Sequence, residues 1–352
     1  MVLGSRDGGR GYRFGVLLLA SDPRCADHDT GAGHPESPAR LVAVTAGVER
    51  SGFDSDLRLL PARDATRAEL ERVHPPAHLD ELARRCQDRG HFDADTPASP
   101  GSWAAAIAAA GAGLAAVDAL SVQDAKGAFL AIRPPGHHAR ATQAMGFCLI
   151  NNVAVVASEL LARNERVAIV DIDAHHGNGT QEIFYANPDV LYVSFHEWPL
   201  YPGTGRHDET GAGAGMDATC NFPLPAGATG DVYLRGLDAV VEPLLSQFQP
   251  DWMLISAGFD AHRDDPLTGL GLSAGDYAVL VERLVAAAPT GRTIAFLEGG
   301  YSLTGLRDSV ALSLPVLAGL ARPPLSGEGP TSGGPGDRVV EVVTELWRDR
   351  LG

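Results

Sequence analysis

Cysteine is scarce in this 352-residue chain, and the four present, Cys25, Cys86, Cys148 and Cys220, are widely spaced with no Cys-x-x-Cys pair. That points away from a disulfide framework and toward a reduced, cytoplasmic protein. Basic residues are also in short supply: 28 against 44 acids leave a formal net charge of −16. Nucleic acid is therefore not an expected partner, because its binders carry a basic face. A cationic substrate is compatible with this charge, which also keeps a protein soluble. No apolar run approaches the ~18 residues needed to cross a bilayer, so no membrane partner is expected. Residues 14–20, behind Arg6, Arg10 and Arg13, faintly resemble a signal peptide. The run only reaches the minimum of ~7 residues for such a segment, and Asp22-Pro23 cuts it off. It reads as a first buried strand behind a disordered Gly/Arg-rich leader, 1–12. There is no internal repeat.

Apolar residues make up 45% of the chain, enough for a substantial core. Strand patterns fall at 14–20, 57–60, 128–132, 167–170, 190–195, 252–257 and 293–297. Helical patterns fall at 38–50, 66–73, 76–87, 102–120, 152–162, 231–248, 273–288, 304–320 and 338–350, with Ser273 as an N-cap. Strands and helices alternate, which means α/β architecture: a parallel sheet with helices on both faces. The Pro/Gly/Ser-rich stretch 322–336 reads as flexible. The expected organisation is one domain, 13–321, then this segment and a C-terminal helix, 337–352.

The most informative stretch is 166–180, RVAIVDIDAHHGNGT. A β-branched run suited to a strand buried on both faces ends in Asp171, Asp173, His175 and His176. Side chains two apart on a strand point the same way, so Asp171 and Asp173 can converge. The carboxyl ends of parallel strands are where open α/β folds place their sites. Three further strands empty into reactive groups: His137 and His138 after RPPG, Asp260 in GFDAHRDD, and Tyr301 after EGG. All four ends lie on one edge of a parallel sheet.

Asp173, His175 and Asp260 supply three N/O ligands and leave a fourth position for water, the logic of a catalytic zinc site. Two carboxylates leave the bound water less acidic than a three-histidine site would, so a neighbouring base is needed. The His137-His138 pair supplies one, and each imidazole needs an orienting partner, for which Asp171 and Asn178 are the candidates. The Tyr301 phenol can hydrogen-bond the oxyanion formed when water attacks a carbonyl.

The motifs RPPGHHA, GFCLINN, DIDAHHGNGT, SAGFDAHRDDPL and LEGGY together resemble the zinc-dependent histone deacetylase family, in its class II-like bacterial branch, across 14–320. The resemblance implies the arginase/deacetylase fold, a three-layer αβα arrangement around a mostly parallel sheet of about eight strands. It implies zinc on Asp173, His175 and Asp260, and His137 and His138 as the catalytic pair with Asp171 and Asn178 behind them. Tyr301 would polarise the acyl carbonyl. Gly146, Phe147, Tyr201, Leu267 and Gly299 would line the substrate tunnel, and Asp95 would hold the substrate backbone. A potassium ion is implied at Asp171, Asp173, His175, Ser194 and Phe195, partly through main chain, with an outer one at carbonyls near Phe184, Asn187 and Val190. Position 178 is Asn where class I members have Asp, so class I pH behaviour does not carry over. His28 and His34 read as structural or entrance residues rather than ligands.

The resulting expectation is a zinc-dependent hydrolase that deacylates lysine in peptides or proteins, as a monomer or homo-oligomer. Acetylpolyamine deacetylation is the alternative, because the apolar Leu267 stands where polyamine-specific relatives place an acid. A two-manganese ureohydrolase shares the fold, but the histidine pair and the GGY tyrosine speak against it. The intact set of ligands, base and tyrosine speaks against a non-catalytic binding module.

Overall fold

The computed structural model describes residues 15–53, 56–122, 125–322 and 326–351; the leader 1–12 lies outside them. Among the described residues eight strands pair: β1 (Val16–Ser21), β2 (Leu57–Pro61), β3 (Ala125–Ala131), β4 (Val167–Asp171), β5 (Val190–Glu197), β6 (Thr219–Leu224), β7 (Trp252–Ala257) and β8 (Thr293–Leu297). All pairings are parallel, in the order β2-β1-β3-β8-β7-β4-β5-β6. Strands β4, β5, β7 and β8 are buried at every residue, as expected where helices cover both faces.

The sequence pattern misses β6. Its run TCNFPL carries Asn221 and Pro223, and a proline cannot donate to a sheet ladder. The strand survives because it is an edge strand, paired only with β5.

The helices are α1 (Ala39–Ser51), α2 (Arg67–Leu70), α3 (Pro76–Gln87), α4 (Ser102–Val122), α5 (Asn152–Ala162), α6 (Asn178–Phe184), α7 (Gly230–Gly236), α8 (Glu242–Phe248), α9 (Ala274–Ala287), α10 (Leu303–Leu317) and α11 (Asp337–Leu351). Helix α9 has the expected cap: Ser273 Oγ accepts from Asp276 N–H, and the Asp276 carboxylate reaches back to the Ser273 N–H. The single helix expected over 231–248 is instead α7 and α8 joined by a π turn, Leu237–Val241. Pro243 explains the break, since it has no N–H to donate and its ring crowds the preceding turn.

One expectation needs correction. The chain does contain a stretch long and apolar enough to cross a bilayer, the 21-residue helix α4. Two aspects of its setting make it a core helix: most of it is buried, and it packs on β1, β3 and α5. Over 326–336 the segment after α10 is hydrogen-bonded to side chains of the domain. Thr331 donates to the Asp276 carboxylate from its N–H (3.0 Å) and its hydroxyl (2.7 Å), and Gly334 N–H donates to Thr229 Oγ1 (2.8 Å). Side chains of the domain thus satisfy a backbone that cannot make a helix or strand. Beyond it, α11 buries Val340, Val343 and Trp347 against β6 and α7, completing the domain.

Candidate active site

Strands β3, β8, β7 and β4 are immediate neighbours in the middle of the sheet. Their carboxyl ends bring together His137-His138, Tyr301, Asp260 and Asp171-Asp173-His175, which are spread over more than 160 positions of sequence. Asp171 closes β4 opposite Ser256 on β7 and Ser194 on β5.

One atom each of Asp173, His175 and Asp260 lies within 4.8 Å of the others. His175 Nδ1 stands 3.2 Å from Asp173 Oδ1 and 3.1 Å from Asp260 Oδ2, and both carboxylates are fully buried. Three electronegative atoms cannot face one another in a dry site unless positive charge lies between them. Burial works against charging His175, but the hydrogen bonds to Asp173 and Asp260 overcome it and push the imidazole up to about 10. A spot that binds a proton so firmly also fits a cation, and two carboxylates with one imidazole are a donor set for a divalent metal. Gly299 is required beside it: a Cβ there would come 2.1 Å from Asp260 Oδ2. Its N–H donates to Asp173 Oδ2 (2.8 Å).

The two imidazoles above this cluster differ. His137 Nδ1–H donates to Asp171 Oδ2 (3.0 Å), and its Nε2 lies 3.8 Å from Asp173 Oδ1. Burial opposes its charge, but Asp173 and Asp171 prevail and hold its pKa well above the ordinary value. His138 is held well below, first by burial and then by the positive charge of His137 and His175. Its Nδ1–H donates to Asn178 Oδ1 (2.8 Å), which leaves Nε2 as the acceptor. The expected pairing of Asp171 and Asn178 with the two rings is thus present.

A cavity of about 380 Å³ leads to this cluster, lined by His34, Pro35, Asp95, His138, Gly146, Phe147, His175, Leu200, Tyr201, Leu267 and Tyr301. Of the expected tunnel residues Asp95, Gly146, Phe147, Tyr201 and Leu267 are there, whereas Gly299 serves the ligand carboxylates. Gly146 (φ 56°) and Phe147 (φ 68°) form the left-handed centre of a tight turn between Met145 and Cys148. Asp93 Oδ2 and Thr96 Oγ1 accept their N–H groups at 3.1 and 2.9 Å, holding the Phe147 ring against the tunnel. The Tyr301 phenol, half-buried at the cavity wall, is kept well above its ordinary pKa by desolvation and remains a donor. The Arg40 guanidinium lies 5.0 Å over its ring.

His28 and His34 part ways. His28 is buried, its Nδ1 2.6 Å from Ser102 Oγ, a structural residue. His34 lines the entrance, edge-on to Phe147 with ring centroids 4.8 Å apart, and its Nε2–H donates to the Asp95 carbonyl (3.1 Å). Of the expected potassium set, Ser194 and Phe195 are buried beside Asp171, with Ser194 Oγ 2.9 Å from His196 Nδ1. Phe184 ends α6, Val190 opens β5, and Asn187 lies in the loop between them.

Sequence reasoning passed over the buried residues that hold these loops. Glu36 is gripped by Arg133 Nε (2.5 Å) and Arg40 Nη1 (3.1 Å), and Arg40 Nε donates to Gly300 O (2.8 Å). Glu298 accepts from the amides of Gly136 and His137. A charged residue beside each site motif was the available signal, but Glu36 meets Arg133 across 97 positions and Glu298 meets Gly136 across 162.

The all-parallel eight-stranded sheet with helices on both faces is the α/β arginase/deacetylase fold. The histone deacetylase domain matches residues 34–317. A "Probable deacetylase" of Archaeoglobus fulgidus is 41% identical over 284 residues, covering 79% of each chain. The "Histone deacetylase-like amidohydrolase" of Pseudomonas aeruginosa is 38% identical over 279 residues, 77% of this chain and 73% of that one. A crystal structure of the HDA15 HD domain superposes with a TM-score of 0.87 at 36% identity, covering 96% of this chain and 95% of that one. The chain belongs to the histone deacetylase family, whose members are hydrolases of acetylated substrates and generally depend on a metal.

Proposed function

We propose that this protein is a zinc-dependent amidohydrolase that removes acetyl, or other acyl, groups from the ε-amine of lysine in peptides or proteins. The observation that carries this reading is the convergence of Asp173, His175 and Asp260 below a tunnel walled by Phe147, Tyr201 and Tyr301. Zinc held there would supply Lewis acidity toward the amide carbonyl and a more acidic water.

The chain's own groups do the rest. Phe147 and Tyr201 give the methylene stem of an acyl-lysine an apolar channel. Asp95 at the mouth is placed to accept a substrate backbone N–H. His138 Nε2, unprotonated and oriented by Asn178, takes a proton from the attacking water. The Tyr301 hydroxyl donates to the oxyanion that develops on the carbonyl. His137, whose pKa is held up by Asp173 and Asp171 and whose ring centroid lies 4.1 Å from that of His138, keeps the proton affinity of His138 low. Once protonated, His138 is therefore a strong acid and returns its proton to the leaving amine. The products are a free amine and a carboxylate. Potassium, where bound, would be held by the oxygens of Asp171, Asp173, His175, Ser194 and Phe195, hard donors that suit a hard cation.

Leu267 favours lysine over polyamine in this reading. It is 37% exposed at the mouth and offers an internal ammonium no partner. The test is kcat/KM for an acetyl-lysine peptide, longer acyl-lysines, acetylspermidine and acetylputrescine on one zinc-quantified preparation. Preference for an acyl-lysine peptide is expected; preference for an acetylpolyamine overturns the substrate, and hydrolysis of none overturns the function.

A further inference from the structure

Glu298 closes β8 as the first residue of the segment that carries Tyr301, and it is fully buried away from the tunnel. Its Oε2 accepts from Gly136 N–H at 2.6 Å and from His137 N–H at 3.2 Å. Its Oε1 is buried without a partner. A buried carboxyl is costly unless hydrogen bonds offset it, so a site that merely needed filling would take an apolar side chain.

The grip falls on a turn with few other handles. Pro134 and Pro135 have no N–H, so Gly136 and His137 carry the first amides available to hold it. The other side of the turn is fixed by Asn152 Nδ2, which donates to Pro134 O (3.1 Å). The main chain of Glu298 is anchored too: its N–H donates to Ala257 O on β7 (3.2 Å), and its carbonyl accepts from Arg40. The next N–H, of Gly299, holds Asp173 (2.8 Å). Glu298 therefore joins the histidine turn at the end of β3 to the tyrosine segment at the end of β8.

We propose that Glu298 is a positioning residue: its Oε2, through the Gly136 and His137 amides, sets the placement of the His137-His138 pair relative to Tyr301 and the ligand cluster. The proposal rests on the function above, in that these groups act together on one carbonyl. Misplacing a reacting group by about 1 Å can cost ~10²-fold in rate.

Three substitutions separate positioning from mere packing. Glu298→Gln keeps an acceptor of the same reach, Glu298→Met keeps the length without the acceptor, and Glu298→Asp keeps the acceptor but retracts it. With acetyl-lysine peptide and zinc-loaded protein, Met should lower kcat by ~10- to 10²-fold with little change in KM. Asp should fall between Met and wild type, and Gln should restore most of kcat. Independently of catalysis, amide hydrogen exchange at Gly136 and His137 should quicken in Met and Asp and stay slow in Gln. If Met does not fold, Asp against Gln makes the same comparison. Wild-type kcat in Met or Asp, equal losses in Gln and Met, or unchanged exchange at both amides in Met or Asp would overturn the proposal. An inactive wild type would sink the function instead and leave the exchange measurement to decide the grip.

Discussion

His138 Nδ1–H meets a neutral acceptor, Asn178 Oδ1, at 2.8 Å, while its neighbour His137 meets the charged Asp171 at 3.0 Å. The proton affinities of the pair are thereby split, that of His137 raised and that of His138 lowered, and His138 faces the tunnel. Asn178→Asp should undo the split. A carboxylate in hydrogen-bond contact favours the imidazolium, raising the His138 pKa by roughly 1–3 units. Since His138 works as a base when neutral, the acid limb of kcat/KM against pH should move up by a similar amount. An unmoved limb would assign the base to another group.

Asp260→Ala removes one of the three ligands and one of two mutually repelling buried carboxylates. The fold should persist and most bound zinc should be lost. Elemental analysis checks this, and near-stoichiometric zinc in the variant would exclude Asp260 as a ligand.

Tyr301→Phe deletes one oxyanion donor and little else from the tunnel wall. Such losses typically cost ~10²–10³ in kcat. KM should change far less, because the bond strengthens only in the transition state. Steady-state kinetics with retained turnover would remove the tyrosine from the mechanism.

Leu267→Glu puts a carboxylate at the mouth, where a polyamine's internal ammonium would lie. The ratio of kcat/KM for acetyl-lysine peptide to that for acetylspermidine should fall. A ratio that stays constant would place substrate choice elsewhere in the entrance.

Glu36 offers a stability test that does not depend on turnover. It is fully buried; burial raises its pKa, but Arg133 and Arg40 prevail and bring it from 4.5 down to about 2. A carboxyl with a lowered folded-state pKa contributes stability that is present above about 4.5 and lost as pH falls toward about 2. Glu36→Gln leaves two buried guanidiniums without their counter-ion, which typically costs about 3–5 kcal/mol. Urea melts should show that deficit at pH 7, and it should shrink at acid pH as the wild type also loses its charge.

Much of the fold was legible because local chemistry repeats along the chain. Short apolar runs gave seven of the eight strands, and Ser273 announced a helix start. The edge strand β6 escaped because its proline and asparagine suit only a strand with a free side, a condition set by its place in the sheet. The π turn before Pro243 and the pinning of 326–336 likewise depend on what lies alongside.

The site divides in the same way. Which residue types gather at the site was legible in the sequence alone, since the acids, the histidines and the tyrosine each follow a strand that ends in a turn. The tertiary structure alone decided which groups meet. The strand order β3-β8-β7-β4 makes neighbours of segments remote in sequence, and it sets His137 beside two carboxylates and His138 beside an amide. It also hid the supports: Glu298 under the histidine turn and Glu36 between two arginines. Charge and proton affinity depend on distance and burial, and neither exists until the chain has closed on itself.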